Sequence, residues 1–370
     1  MIGKTETKVH SVQEMKAQRW QALAQDRCAL CGLAVYTQIF IGLALYIYNH
    51  VSTPGYLSIL LTVPFALLLL FLARKTARSS GTEKHLSKPA SFLFALLHLF
   101  NAQLIFTCLC AILTNIMPDH SLWAMALLTA LALAWANTGR REDALARLGH
   151  FLKWLILILL GYGLVTSLPY GNASYFFPIL GFGWESIGKG ALWMCGAVSC
   201  CALPLLTPQN SQALSPMLTK KSTAVKPVLL SILAGCGTML VSVLLMPVRT
   251  MARSETLGWQ LMLAINMTPS IPAWSMEALG VLLLFFLALN YHVTQAAALL
   301  LPDQKEPSGF MLLLLLLILV PCAACPLPEI TETLTQIAMF RGPVTLAVTL
   351  ILFFFRVPRG KKTGKEGTGP

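Results

Sequence analysis

From Cys28 onward the chain consists of long apolar runs separated by short polar segments, most of them basic. The runs fall at about 28–48, 54–73, 91–117, 121–138, 151–168, 190–207, 227–247, 277–301, 309–325 and 333–355. Coiled as an α-helix, about 18 to 25 apolar residues match the roughly 30 Å of a bilayer's hydrocarbon core. Lipid offers the backbone no hydrogen-bonding partner, so each run must be helical to satisfy its own N–H and C=O groups. The pattern therefore predicts an all-α membrane protein of about ten transmembrane helices. It divides the chain into a cytoplasmic N-terminal segment, 1–27, a transmembrane domain, 28–355, and a basic cytoplasmic tail, 356–370. Residues 11–26 predict a short surface helix with Trp20 at the interface, and the segment 248–276 reads either as an outer lid or as a long connection. The first 27 residues are polar and mixed in charge, so no cleaved signal peptide is expected.

Composition agrees with a chain that lives in lipid. Of 370 residues 56% are hydrophobic and only 11% charged, against about 25% charged in soluble domains; the mean hydropathy is +0.69. Loop lysines and arginines set the orientation of such a chain. With a cytoplasmic N-terminus, 23 of the 27 lie inside, and Lys189, Arg249, Arg253 and Arg341 are assigned to the outside. Both termini are then cytoplasmic, and the net charge of +12 needs no nucleic-acid partner.

Six cysteines, Cys108, Cys110, Cys195, Cys200, Cys201 and Cys236, sit within apolar runs and read as small packing residues. Cys28-x-x-Cys31 and Cys322-x-x-Cys325 have metal-like or redox-like spacing. They fall near opposite membrane faces with no histidine close in sequence, so no metal or cofactor is expected. No G-x-S-x-G elbow, H-E-x-x-H or Walker loop occurs, and no enzyme is expected.

Polar side chains inside spans face the bundle interior, because lipid leaves them unsatisfied. Thr37 and Gln38 in the first run, His98, Asn101, Gln103 and Thr107 in the third, Ser199 in the sixth and Asn290, Tyr291, His292, Thr294 and Gln295 in the eighth are such residues. Their concentration in four runs points to a shared cavity. No Asp or Glu falls in the middle of a run, so the usual carboxylate for ion coupling is missing.

The stretch YFFPILGFGWESIGKGALWM, residues 175–194, puts four glycines, a proline and the Glu185/Lys189 pair beside an apolar run. It resembles the segment before the sixth helix of spore germination permeases, the GerAB-like B subunits of nutrient germinant receptors, within the amino acid–polyamine–organocation (APC) superfamily. Pro178, Leu180, Gly181, Gly183, Lys189 and Gly190 carry the match. Gly139, Asp143, Ala146 and Arg147 resemble a second motif of that family, and WSMEALGVLLLFFLALNYH the start of its eighth helix.

The resemblance implies a leucine-transporter-like fold of two inverted five-helix repeats (5+5), with helices 1 and 6 interrupted near Gly42 and Gly196. It also implies that Glu185 and Lys189 lie on a separate short outer helix. On this reading the protein is a permease-like subunit that binds a small nutrient, an amino acid, and takes part in spore germination signalling with other germinant-receptor subunits. It would lie in a bacterial cytoplasmic membrane, the spore inner membrane. Helix ends near Gly42 and Gly196 would receive the ligand's carboxylate, and Thr37, Gln38, Asn101, Trp193, Ser199 and Asn290 would supply side-chain contacts. An APC amino-acid transporter and a membrane scaffold with a degenerate pocket are the alternatives.

Overall fold

The structure, a computed structural model, describes residues 2–79, 88–116, 141–167, 169, 171–177, 181–202, 205, 221–245, 276–301, 313–314, 317–318 and 327–354. The run at 121–138, most of 309–325, nearly all of 248–276, the tail, Pro178, Leu180, Gly139 and the Cys322/Cys325 pair lie outside them.

Among the described residues all regular structure is helical. The helices are α1 (Ile2–Gly42), α2 (Tyr48–His50), α3 (Gly55–Leu60), α4 (Thr62–Ser79), α5 (Lys88–Ile116) and α6 (Arg141–Ser167). After them come α7 (Trp184–Val198), α8 (Lys221–Leu245), α9 (Met276–Leu300), α10 (Leu327–Ala338) and α11 (Arg341–Phe354). Among the described residues six segments are long and apolar enough to cross a membrane: Gln21–His50, Gly55–Thr76, Lys88–Ala111, Val225–Leu245, Gly280–Leu300 and Glu329–Phe354. The chain is a multi-pass helical membrane protein. The expected surface helix at 11–26 is not separate, since those residues belong to the continuous α1.

Two of the described spans divide into separate helices, and prolines explain both breaks. Proline lacks an N–H and its ring collides with the carbonyl four residues back. Pro64 denies the Leu60 carbonyl its partner, and the second span divides between α3 and α4 at Leu61. Pro343 does the same to Met339, and the last span divides at Met339–Phe340. Each proline then sits in the first turn of the following helix, where a missing N–H costs little.

Helix α1 is the central post, in contact with α5, α6, α7, α8 and α9, while α9 also packs along α5 and α6. Within lipid, helices associate through close van der Waals packing, which favours small residues at crossings. Gly32 lies against Pro227, Gly235 against Ile39, and Gly55 against Ile47 and Met239. Exposed Leu67, Leu68 and Phe71 on α4, Trp154 and Ile158 on α6, and Leu230 and Leu233 on α8 form the lipid-facing exterior.

Candidate functional site at the broken last span

Helix α7 is aimed into the bundle by the turn before it. Gly181 has φ 51° and Gly183 φ 95°, both left-handed values that favour glycine. A Cβ on Gly181 would also come within 2.5 Å of the Val51 carbonyl oxygen. The expected separate outer helix is absent: Glu185 and Lys189 lie in the opening turns of α7 itself, which runs unbroken to Val198. The two side chains pair at 2.7 Å on the exposed face. Hydrogen bonding and charge from Lys189 hold the Glu185 carboxyl below its ordinary value. Gly190 lets α7 press on α3, where the Ser58 hydroxyl donates to the Ile187 carbonyl at 2.9 Å.

Further along α7, Gly196 and Gly342 allow that helix to meet the start of α11. A Cβ on Gly342 would lie 3.0 Å from the Gly196 nitrogen, and one on Gly196 would lie 2.8 Å from the Ala338 carbonyl oxygen. This crossing fixes Arg341, the first residue of α11, inside the protein with 3% of its surface exposed. Its Nη1 donates to Gln38 Oε1 at 2.8 Å and to Asn101 Oδ1 at 2.5 Å, and its Nε donates to the Ala338 carbonyl at 3.2 Å. Gln38 Nε2 in turn donates to the Asn101 carbonyl at 3.2 Å. The guanidinium carbon lies 5.0 Å from the centre of the Trp193 ring and 5.7 Å from that of Phe100, the range of cation–π attraction. Nη2 is buried and has no hydrogen-bond partner among the described residues. Gln38, Asn101 and Arg341 each lie near the midpoint of a spanning segment, so the cluster sits at mid-membrane depth.

No protein-family model matches the chain, and no curated protein matches it. Among the solved structures that match is the crystal structure of the Eremococcus coleocola manganese transporter in complex with an aromatic bis-isothiourea substituted compound. The likeness has a TM-score of 0.55 at 12% identity and covers 90% of this chain and 78% of that one. This chain shares the fold of that structure.

Within that fold the residues singled out from sequence are placed unequally. Gln38 and Asn101 bond Arg341 directly, and Trp193 stacks on it while donating its Nε1–H to the Thr335 carbonyl at 3.2 Å. Gly42 makes room for the Trp193 ring, since a Cβ there would fall 2.3 Å from Trp193 Cζ3. Ser199 turns back on its own helix, its hydroxyl donating to the Gly196 carbonyl at 2.7 Å. Thr37 bonds the Leu33 carbonyl at 2.9 Å and Asn290 Nδ2 the Phe286 carbonyl at 2.8 Å. Neither has a bond to the arginine cluster, and Asn290 Oδ1 is buried without a partner.

The interruptions expected at Gly42 and Gly196 are changes of helix type, not unwound backbone. At Gly42 the α-helix passes into a π-helical turn, Leu43–Ile47, and Gly196 lies inside α7, which tightens to a 3₁₀ turn at Ser199–Cys201. Both glycines serve side-chain packing, of Trp193 and of Arg341. Neither offers free helix-end amides to a ligand.

Sequence reasoning missed Arg341 by placing it outside the membrane. The signal was present, since an arginine followed by Gly-Pro stands in the middle of the run 333–355. The structure also joins two histidines that sequence left apart. His98 Nδ1 and His292 Nδ1 are 2.9 Å apart, with the Tyr291 ring against both, and each Nε2 is buried and unpartnered. One Nδ1 must carry the shared proton and the other accept it.

Proposed function

We propose that this chain is a small-solute permease of ten spans in two inverted repeats, which binds its ligand at mid-membrane beside Gln38, Asn101 and Arg341. The observation that carries this is the convergence of polar side chains from three span midpoints within a transporter fold. Polar groups at that depth are costly unless they serve one another or a solute. The ligand class we favour is a nutrient amino acid, through the family resemblance carried by Gly181, Gly183, Lys189 and Gly190.

The manganese named in the neighbour's title is disfavoured as cargo here, because a buried guanidinium repels a divalent cation. Among the described residues no group of three His, Cys, Asp or Glu is placed to hold a metal ion.

A second reading is a sensor subunit of spore germination that binds a nutrient without concentrating it. It is favoured by the lack of an Asp or Glu in the middle of any described span, since those groups commonly bind coupling ions.

Purified protein in liposomes, offered labelled amino acids with and without a proton or sodium gradient, separates the readings. Exchange or gradient-driven accumulation supports the permease, and saturable binding without passage supports the sensor. Binding of no solute of any class overturns both.

A further inference from the structure

We infer that the ligand of this site is recognised through a carboxylate, one of whose oxygens binds Nη2 of Arg341. The inference rests on the permease reading and names the chemistry of the group that the site takes. A guanidinium has five N–H donors and no acceptor. Three are engaged: two on Nη1, by Gln38 and Asn101, and one on Nε, by the Ala338 carbonyl. The two on Nη2 are buried and unmet.

Among the described residues, those that bond or stack on the guanidinium are neutral: two side-chain amides, one backbone carbonyl and the rings of Trp193 and Phe100. Among the described residues no Asp or Glu forms an ion pair with it. An arginine at the bilayer centre is costly, and such residues normally pair with an opposite charge or line a solute path. Here the described partners orient the cation and leave its charge uncompensated. Gln38 and Asn101 hold Nη1 from spans α1 and α5, the Ala338 carbonyl holds Nε, and the Trp193 face flanks the ring of charge. The cation is preorganised, with the two N–H groups of Nη2 left for an anion. A carboxylate oxygen matches those donors in charge, and charge-assisted bonds of this kind are about twice as strong as neutral ones.

The carboxylate of an amino acid and that of a simple organic acid share this chemistry. The test therefore uses matched probes on the purified full chain in nanodiscs: L-alanine, L-alaninamide, L-lactate, chloride and manganese(II), read by thermal shift and by tryptophan emission. We expect L-alanine or L-lactate to raise the melting temperature and change the emission, with L-alaninamide and manganese(II) inert. Arg341→Gln should weaken the active probe at least tenfold and Arg341→Lys should weaken it less, while Trp193→Phe should remove most of the emission change. A response to L-alanine with none to L-lactate identifies an amino acid, and the reverse a simple acid; either supports the carboxylate assignment. Equal responses to L-alanine and L-alaninamide, or binding unchanged in Arg341→Gln, would overturn it while leaving a permease in place. Competition by chloride at the same concentration as the carboxylate would also overturn it, in favour of a halide site. If Arg341→Gln does not fold, the amide and chloride comparisons on the unmodified chain still decide. A chain that responds to none of these and to none of the common amino acids takes the permease reading down with it.

Discussion

At the scale of single residues, Arg341 is a buried charge held in place by its bonds to Gln38 and Asn101. Replacing it with Met removes the charge but leaves two buried amide oxygens without a donor, at a cost of about 1 to 3 kcal/mol for an orphaned acceptor. Arg341→Met should therefore lower the melting temperature while abolishing any ligand-induced shift. An unchanged or raised melting temperature would mean that removing the uncompensated charge outweighs those two bonds. The histidine pair invites a parallel experiment. Removing either imidazole leaves a buried Nδ1 without its partner, at a cost of about 1 to 3 kcal/mol. His98→Leu and His292→Leu should each destabilise, and the double variant should lose clearly less than the sum of the two. Simple additivity would show that the 2.9 Å contact contributes nothing.

At the scale of elements, glycines in one helix have separable duties. Gly196 of α7 faces the Ala338 carbonyl, and backbone cannot step aside as a flexible side chain does. Gly196→Ala should cost about 1 to 3 kcal/mol, the usual range for overpacking, and should disturb Arg341 most. Gly188, two turns earlier, has no neighbour within 4 Å of where its Cβ would stand. Gly188→Ala should be neutral or stabilise by up to about 1 kcal/mol through helix propensity. Paired melting curves check both, and equal effects would refute the assignment of the α7–α11 crossing. Proline's role can be tested by Pro343→Ala, which restores the N–H facing Met339. The break should then close, α10 and α11 should fuse, and carboxylate binding should drop with the loss of the Arg341 position.

At the scale of the whole molecule, charge distribution decides orientation. Arg341 leaves the outer tally once it is placed at mid-span, so the orientation expected from sequence, with both termini cytoplasmic, would leave Lys189, Arg249 and Arg253 as its outer cations. Fusion reporters at the C-terminal tail should be active only in the cytoplasmic form; an externally active reporter overturns the topology. The exposed Glu185/Lys189 pair belongs to this scale as well, since it sits where α7 emerges from the bundle. Such pairs are screened by solvent, and Glu185→Gln should leave the melting temperature and its pH dependence unchanged within error.

Apolar run length alone determined that this is a helical, multi-pass chain, because hydrocarbon thickness and backbone hydrogen bonding allow little else. Polarity within runs also marked Gln38 and Asn101 as inward-facing, since lipid offers them nothing. The sequence likewise held the two span breaks, as Pro64 and Pro343, though reading them needed attention to the carbonyl four residues back. Only the tertiary structure decided which polar residues meet. Gln38, Asn101 and Arg341 are separated by 63 and 240 residues along the chain, and no local pattern encodes such a meeting. Thr37, by contrast, spends its hydroxyl on its own helix, as threonine in lipid often does. The glycines were legible as special positions, but whether Gly42 unwinds a helix or clears space for Trp193 depends on what lies across the interface. That is a property of packing between helices distant in sequence, and it is settled only when α1, α7 and α11 are brought together.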